Sequence, residues 1–272
     1  MNNDAIGVFD SGMGGLTTVK ELNAILPHEN IIYFGDTARI PYGSRSKETI
    51  LKYAKQDINF LKSHQIKMII AACGTVSSII LNNPIKDLDV EFTGVVVPTC
   101  KTACNVTKNK RVGVIGTTAT IKSESYVSTI HSMDSSIEVL GVPCPLFVHL
   151  VENGYTNRDN QVTKLVAQEY LEPIKKFGAD TLILGCTHYP IIKDIIADIL
   201  GDKVTLISSG AEAGKYAKDY LTKNSLLADR TTNGENEFYV SDTIELFEEN
   251  AKQFLGHEIR GKVFKGDVHS IK

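Results

Sequence analysis

Short runs of apolar residues alternate along the chain with longer segments in which apolar residues recur every three or four positions. Ala5–Phe9 is the first short run, and the segment Gly14–Leu26 that follows it places Leu16, Val19 and Leu22 at helical spacing. A short apolar run predicts a buried strand, and a longer periodic segment predicts an amphipathic helix. The chain therefore begins with a strand followed by a helix.

The same alternation continues through most of the sequence. A second strand is predicted at Asn30–Phe34 and a second helix at Lys47–His64. Further strands are predicted at Lys67–Ala72, Phe92–Val97, Arg111–Ile115, Ile137–Leu140, Thr181–Leu184 and Val204–Ile207. Strands that alternate with helices form right-handed crossovers, and strands apolar on both faces are covered by helices. The pattern predicts an α/β protein with mostly parallel sheets flanked by helices.

Two strand ends repeat one motif. The apolar run that ends at Cys73 and the run that ends at Cys186 are both followed by small or polar residues. Because ligands of open α/β sheets bind at the carboxyl ends of the strands, each cysteine is predicted to lie at a ligand-binding edge. The repeat predicts two similar α/β domains with one such cysteine each.

The chain is predicted to cross between these domains twice, near Val97–Thr99 and near Ser208–Gly210. Residues 1–97 and 209–272 would then form the first domain, and residues 98–208 the second.

Composition narrows the class of protein. The chain has 272 residues, 42% of them apolar and 22% charged, and a net charge of −3. These values are ordinary for a globular protein, and the scattered Lys and Arg residues argue against a nucleic-acid partner. No apolar run approaches the length of a membrane helix, and the first residues do not resemble a secretion signal. Five cysteines, an odd number without close spacing, indicate a reducing cytoplasm rather than a disulfide framework.

Several segments are candidates for chemistry. Cys73 and Cys186 come where a strand is predicted to pass into a helix N-terminus, where backbone N–H groups favour a thiolate. A single cysteine at a strand end more often only packs, but the repeat favours a shared chemical role. His188, two residues after Cys186, could orient it or share a proton with it.

Two loops belong to the same predicted edge. Asp10–Gly15 is a glycine-rich turn that suits a small carboxylate, because it lacks the third glycine of a dinucleotide fingerprint and the lysine of a P-loop. The alternative is a tight turn in which Asp10 only caps the helix. Asp36–Gly43 is either an active-site loop or a plain proline-containing loop. Cys100, Cys104 and Cys144 are interpreted as packing residues, since no partner residues complete a zinc site.

These motifs together resemble the glutamate racemases of the cofactor-independent aspartate/glutamate racemase family. The resemblance rests on Phe9–Gly15, Gly35–Gly43, Ala72–Thr75, Gly116–Thr120, Cys144–Val148, Leu150–Glu152 and Gly185–Pro190. It implies two α/β domains that face each other across a cleft, with one catalytic cysteine on each wall. It also implies an isomerase that interconverts L- and D-glutamate without pyridoxal phosphate and without a metal.

The resemblance assigns roles to particular residues. Cys73 would act on the D-enantiomer with the help of Asp10, and Cys186 on the L-enantiomer with the help of His188, with Glu152 nearby. The substrate would be held by Asp10, Ser11, Pro41, Tyr42, Gly43, Gly74, Thr75, Thr117, Thr120, Thr187 and His188. The resemblance further implies a homodimer in the bacterial cytoplasm that supplies D-glutamate for peptidoglycan, the polymer that gives the cell its shape.

The sequence departs from the family pattern at three positions. Gly74 stands where Asn is usual, His149 where Pro is common, and Ser208 where Asp is common. We expect a water molecule to occupy the space of the missing Asn side chain, so that Gly74→Asn changes kcat/KM by less than about tenfold.

Three alternatives remain open at this stage. The chain could be a racemase for aspartate or another acidic amino acid, or a catalytically silent amino-acid-binding relative. It could also be a thiol redox or cysteine-hydrolase enzyme, although no Cys-x-x-Cys pair occurs in it.

Overall fold

Two parallel sheets organise the computed structural model, which describes residues 2–86 and 88–267. The larger sheet has the strand order β10-β9-β2-β1-β3-β4. Its strands are β1 (Ala5–Asp10), β2 (Ile31–Gly35), β3 (Ile66–Ala71), β4 (Glu91–Gly94), β9 (Asn236–Val240) and β10 (Lys262–Lys265). The smaller sheet has the order β6-β5-β7-β8 and consists of β5 (Arg111–Gly116), β6 (Glu138–Pro143), β7 (Thr181–Leu184) and β8 (Thr205–Ser208).

All the strand pairs within the described residues run parallel, and helices connect most of them. The helices are α1 (Leu16–Ile25), α2 (Lys47–Lys62), α3 (Gly74–Asn82), α4 (Val96–Val106), α5 (Thr118–Lys122), α6 (Ser125–Met133), α7 (Leu146–Glu152), α8 (Gln161–Phe177), α9 (Lys193–Leu200), α10 (Ser209–Lys223) and α11 (Ile244–Leu255). The predicted α/β fold with parallel, helix-covered sheets is confirmed.

The apolar periodicity explains why these elements pack as they do. Every residue of β1 and β3 is buried, because helices cover both faces of the larger sheet. On α1, the residues at helical spacing, Leu16, Val19 and Leu22, have no exposed surface. Fully burying a side chain of this size contributes about 1.5–3 kcal/mol, so the stripe fixes α1 against the sheet.

One predicted strand is wrong over its second half. The segment Phe92–Val97 was expected to be extended, but β4 ends at Gly94 and α4 begins at Val96. The Oγ of Ser77 accepts a hydrogen bond of 3.0 Å from the N–H of Val95 and so satisfies a donor at the start of the helix. Pro98 lies in the first turn of α4, where its missing N–H costs nothing.

Two strands were not predicted, β9 and β10. The first follows a polar segment rich in Asn, Gly and Glu, and the second is only four residues long, KVFK, with two lysines. β9 pairs with β2 on one side and with β10 on the other, and β10 is the outer edge strand of the larger sheet. A polar sequence is tolerated in β10 because one side of an edge strand is unpaired.

The strands of the larger sheet come from the two ends of the chain, and those of the smaller sheet come from its middle. The predicted crossing at Val97–Thr99 lies inside the first turn of α4, and the crossing at Ser208–Gly210 includes the start of α10. The domain limits of 97/98 and 208/209 therefore both fall where a helix begins, and they stay a prediction. No helix in residues 2–86 and 88–267 is long and apolar enough to cross a membrane.

Candidate active site

A cavity of about 560 Å³ lies where the carboxyl ends of the strands of the two sheets face each other. Most of the residues predicted for the site line it: Ser11, Pro41, Tyr42, Gly43, Cys73, Gly74, Thr75, Thr117, Glu152, Cys186, Thr187 and His188. The other two predicted residues, Asp10 and Thr120, do not line the cavity. They lie behind its wall and bond to residues that do.

Cys73 occupies the wall formed by the larger sheet. It follows β3 and forms the N-cap position of α3. Its Sγ lies 3.5 Å from the Oγ of Ser11, and its side chain is almost buried. Burial raises the pKa of Cys73 to about 12, with a further increase from the charge of Asp10, and the N–H of Val76 and the Ser11 hydroxyl only partly oppose it. The environment therefore favours the neutral thiol.

Asp10 ends β1 and is 1% exposed. Its Oδ2 accepts a hydrogen bond of 2.9 Å from the N–H of Gly12, and its Oδ1 lies 3.4 Å from the Oγ1 of Thr187 on the other wall. Burial raises the pKa of Asp10, although the charge of His188 and these donors oppose the increase. Asp10 thus orders the glycine-rich turn and reaches both walls of the cavity.

Cys186 occupies the opposite wall, formed by the smaller sheet. The Nδ1 atom of His188 lies 3.9 Å from its Sγ, and the Nε2 atom of the same ring lies 3.1 Å from Oε1 of Glu152 at the end of α7. Burial lowers the pKa of His188, but the hydrogen bonds and charges of Cys186 and Glu152 outweigh it and raise that pKa to about 10. The surroundings therefore favour the protonated imidazole, which lies between the Cys186 thiol and the Glu152 carboxylate.

The predicted helix N-terminus at Cys186 is wrong. After Cys186 the chain makes a turn, in which the N–H of Tyr189 donates to the carbonyl of Cys186 over 3.1 Å, and then a single 3₁₀ segment, Tyr189–Ile192. The α-helix α9 begins only at Lys193. Cys73 faces a helix N-terminus, whereas Cys186 has a charged histidine, so the two thiols have different surroundings.

Three threonines form a hydrogen-bonded cluster at one end of the cavity. The Oγ1 of Thr75 lies 2.9 Å from that of Thr117 and 3.4 Å from that of Thr120, and the last two are 3.0 Å apart. Because Thr75 belongs to α3 and the other two to the start of α5, the cluster ties the two walls together.

The hydroxyl of Tyr42 is hydrogen-bonded to other side chains of the protein. It donates to Asp36 and, over 3.2 Å, to Oδ2 of Asp57, a fully buried residue of α2. Arg39 pairs with the same two carboxylates and lies over the ring of Tyr53. Burial raises the pKa of Asp57 and Asp36 raises it further, whereas Arg39 lowers it. Because the hydroxyl of Tyr42 is already hydrogen-bonded, only its ring and backbone are free to contact a ligand in the cavity.

The backbone of the opposite wall lies close to Gly74. A Cβ atom built on Gly74 would lie 2.0 Å from the carbonyl oxygen of Gly185. A side chain at this position requires the two loops to lie further apart than they do in this structure. The mild effect of Gly74→Asn on kcat/KM stays a prediction.

The profile of the Asp/Glu/Hydantoin racemase family matches residues 7–217. The chain belongs to this family. It is an isomerase, an amino-acid racemase.

Individual members of the family are similar over nearly the whole length. A glutamate racemase of Geobacter metallireducens is 42% identical over 98% of this chain and 96% of its own. The structure of a glutamate racemase from Francisella tularensis in complex with D-glutamate has a TM-score of 0.90 and 42% identity, and covers 99% of this chain and 100% of that one. A glutamate racemase from Bacillus anthracis has a TM-score of 0.94 and 35% identity over 100% of both chains.

Sequence reasoning missed several residues of this racemase. Further residues that line the cavity are Gly12, Ile40, Ser44, Thr118, Pro145, Val148 and His149. His149 had been noted only as a departure from the family pattern, and Pro145 and Val148 only as part of the motif Cys144–Val148. Asp57 gave no signal, because a lone Asp in an amphipathic helix is usually exposed.

The remaining cysteines behave as expected of packing residues. Cys100 and Cys144 have no exposed surface, and Cys104 is partly exposed. Within the part of the chain that the structure describes, no group of three or more His, Cys, Asp or Glu side chains could hold a metal ion.

Proposed function

We propose that this racemase interconverts L- and D-glutamate by moving the Cα proton between two thiols, those of Cys73 and Cys186. The observation that carries the proposal is that both cysteines line one cavity from opposite sheets, each just after a parallel strand. Inversion at one carbon needs a base on one face and an acid on the other. The D-glutamate complex of the Francisella tularensis relative supports the choice of substrate.

The reaction balances with these two groups alone. The thiolate of one cysteine takes the proton from Cα, and the electron pair of the broken C–H bond stays on the substrate. The thiol of the other cysteine gives its proton to the opposite face of Cα, so that a new C–H bond forms as its S–H bond breaks. Each turnover reverses which cysteine is the thiolate, and the enzyme must exchange protons before it repeats the same direction.

The surroundings of the two thiols favour one starting arrangement. Burial and the charge of Asp10 keep the proton on Cys73, whereas His188 can accept the proton of Cys186. Cys186 is then the base and Cys73 the acid, which is the arrangement that converts L- into D-glutamate. In the opposite direction Cys73 acts on the D-enantiomer, and Asp10 assists it.

Polar groups around the cavity are available for the substrate's carboxylates and amino group. They comprise the side chains of Ser11, Thr75, Thr117 and Thr187 and the backbone N–H groups of Gly43 and Gly74. Asp10 and Thr120 would act on the substrate through neighbouring residues, since they lie behind the cavity wall. Tyr42 would act through its backbone, since its hydroxyl bonds to Asp36 and Asp57. The product D-glutamate would serve peptidoglycan synthesis in the bacterial cytoplasm, and the enzyme would work as a homodimer, which light scattering after gel filtration checks.

The test is exchange of the Cα proton in heavy water, run separately with glutamate and with aspartate. We expect glutamate to gain deuterium at Cα as it racemises, measured by proton NMR and by chiral chromatography. Exchange of aspartate but not glutamate would identify a racemase of the other acidic amino acid. Binding of glutamate without exchange would favour a silent binding protein.

A further inference from the structure

The cavity has a buried floor, which carries the two thiols, and an exposed rim. The lining residues that are exposed, and so form the rim, are Ile40, Pro41, Ser44, Pro145, His149 and Glu152. The first three belong to the loop between β2 and α2, and the other three to α7 and the residue before it. A ligand that reaches the floor passes between this loop and α7.

His149 faces the cavity from α7. Pro145, Val148, His149 and Glu152 all line the cavity, and their spacing places them on one face of the helix. The main-chain carbonyl of His149 accepts a hydrogen bond of 2.8 Å from the side-chain amide of Asn153. The ring of His149 has no hydrogen bond or ion pair with any of residues 2–86 and 88–267, so its nitrogens are free to bind a ligand.

Groups that can carry a positive charge are scarce around the cavity. Within the part of the chain that the structure describes, no lysine or arginine lines it, which leaves the imidazoles of His149 and His188. His188 is buried, and its two ring nitrogens already face Glu152 and Cys186, at 3.1 and 3.9 Å. The ring of His149 is thus the one that can meet an incoming anion, through the N–H that an imidazole keeps in either protonation state.

The proposed substrate benefits from such a partner. Glutamate has two carboxylates and one ammonium group, so it carries a net negative charge near neutral pH. The protein has a net charge of −3, and the carboxylate of Glu152, 36% exposed, lies at the rim. Both charges repel an acidic amino acid, and a donor at the rim that can also be cationic offsets this repulsion.

We infer that His149 is a substrate-recognition residue, which binds a carboxylate of the acidic amino acid at the rim of the cavity. This inference rests on the proposed racemisation of glutamate. Because Pro is common at this position in the family, the imidazole is not required for proton transfer between the two thiols. Its effect is on binding, so it belongs in KM and Kd, and kcat should stay within about twofold of the native value.

The experiment varies the charge at the rim with His149→Lys, His149→Ala and His149→Glu. The side chain is exposed, so all three variants should fold. We expect KM for both enantiomers of glutamate to rise roughly two- to fivefold from the native enzyme to His149→Ala, and by a similar factor again to His149→Glu. His149→Lys keeps a cationic donor and should have a KM close to the native value.

The same three substitutions at His28 are the matched controls. His28 is exposed and lies shortly before β2, at the end of the larger sheet opposite the cavity. They change the net charge of the protein by the same amounts, and we expect them to leave KM unchanged. An equal rise of KM in the two sets would assign the effect to net charge and contradict a local role for His149.

Salt separates an effect of charge from an effect of shape. In about 1 M potassium chloride, exposed charges more than about 3 Å apart are largely screened, so the difference in KM between His149→Lys and His149→Glu should shrink to less than about twofold. If substitution only disturbed α7, KM would rise in all three variants, whatever the sign of the charge and the salt concentration, and this result would overturn the inference.

Calorimetric titration with D-glutamate measures Kd without racemisation and so separates the inference from the proposed function. Native protein that binds D-glutamate but does not racemise it would refute the function, and the same charge order in Kd would support the role of His149. A native enzyme that racemises glutamate, with KM and Kd unchanged in His149→Ala and His149→Glu, would overturn the inference and leave the function intact.

Discussion

The Nδ1 atom of His188 lies 3.9 Å from the Sγ of Cys186, and the opposite ring nitrogen lies 3.1 Å from Glu152. The imidazole is 7% exposed, so it is a buried cation in its protonated form, stabilised by one potential thiolate and one carboxylate. No cation of residues 2–86 and 88–267 is paired with Cys73, and Asp10 adds a negative charge near it. In the proposed mechanism, this difference makes Cys186 the base and Cys73 the acid of the resting enzyme.

The pH dependence of stability should reveal this buried cation. The pKa of His188 is raised from 6.5 to about 10, so its contribution to folding is fully present below about pH 6.5 and is lost as the pH rises through about 10. One pKa unit corresponds to about 1.4 kcal/mol, and we expect the loss to be on the order of a few kcal/mol. The measurement is urea unfolding of the native protein and of His188→Gln between pH 6 and about 10.5. The stability difference between the two should shrink with rising pH, and a constant difference would show that His188 is not charged at neutral pH.

Removal of Asp57 should loosen the loop that carries Tyr42. Asp57→Ala leaves Tyr42 and Arg39 each without one buried partner, and we expect it to lower the free energy of unfolding by about 2–4 kcal/mol and to raise KM. Asp89→Ala is the matched control, because Asp89 also pairs with a cation but is 71% exposed, and its removal should leave stability and KM unchanged. Equal effects of the two variants in urea unfolding and kinetics would contradict this role for Asp57.

The threonine cluster should contribute to closure of the site. Thr75→Val removes the hydroxyl that bonds to Thr117 and Thr120, and we expect about 1 kcal/mol less binding energy, seen as a rise in KM of roughly fivefold. Thr75→Ser keeps the hydroxyl and should behave like the native enzyme. A double-mutant cycle with Thr117→Val measures the pair directly, and a coupling energy near zero would show that the hydroxyls do not act together.

Binding of D-glutamate should protect the loops around the cavity. The cavity is lined by loops at the strand ends of both sheets, and exclusion of water assists proton transfer. Hydrogen exchange with and without D-glutamate should show slower exchange at the loops of Asp10, Tyr42, Cys73 and Cys186. Unchanged exchange at all four loops would argue against closure on the substrate.

The local pattern of apolar residues was sufficient to predict much of the fold. The strands at Ala5 and Thr181 and the helix that begins near Lys47 were predicted within two residues, because strongly periodic or fully apolar segments have few other ways to bury their surface. The strand β10 and the start of α4 were not predicted. The first depends on pairing at a sheet edge, and the second on a hydrogen bond that the Oγ of Ser77 accepts from the N–H of Val95.

The residues of the site also divide into those that local sequence predicts and those that it does not. Cys73 and Cys186 could be found from a repeat of local sequence, and the structure places both on one cavity. The contact of Gly74 with Gly185 and the buried position of Asp57 could not, because they depend on which distant segments meet in the folded chain. A glycine in a sequence does not reveal which backbone fills the space that its missing side chain leaves.

The most direct test of the account is racemisation by single cysteine variants, measured from both enantiomers of glutamate. We expect Cys73→Ala and Cys186→Ala each to lose racemisation in both directions, because every turnover needs one thiolate and one thiol. Cys104→Ala is the matched control, since Cys104 does not line the cavity, and it should keep the native rate. If either Cys73→Ala or Cys186→Ala racemised glutamate at the native rate, the two-thiol account would be wrong.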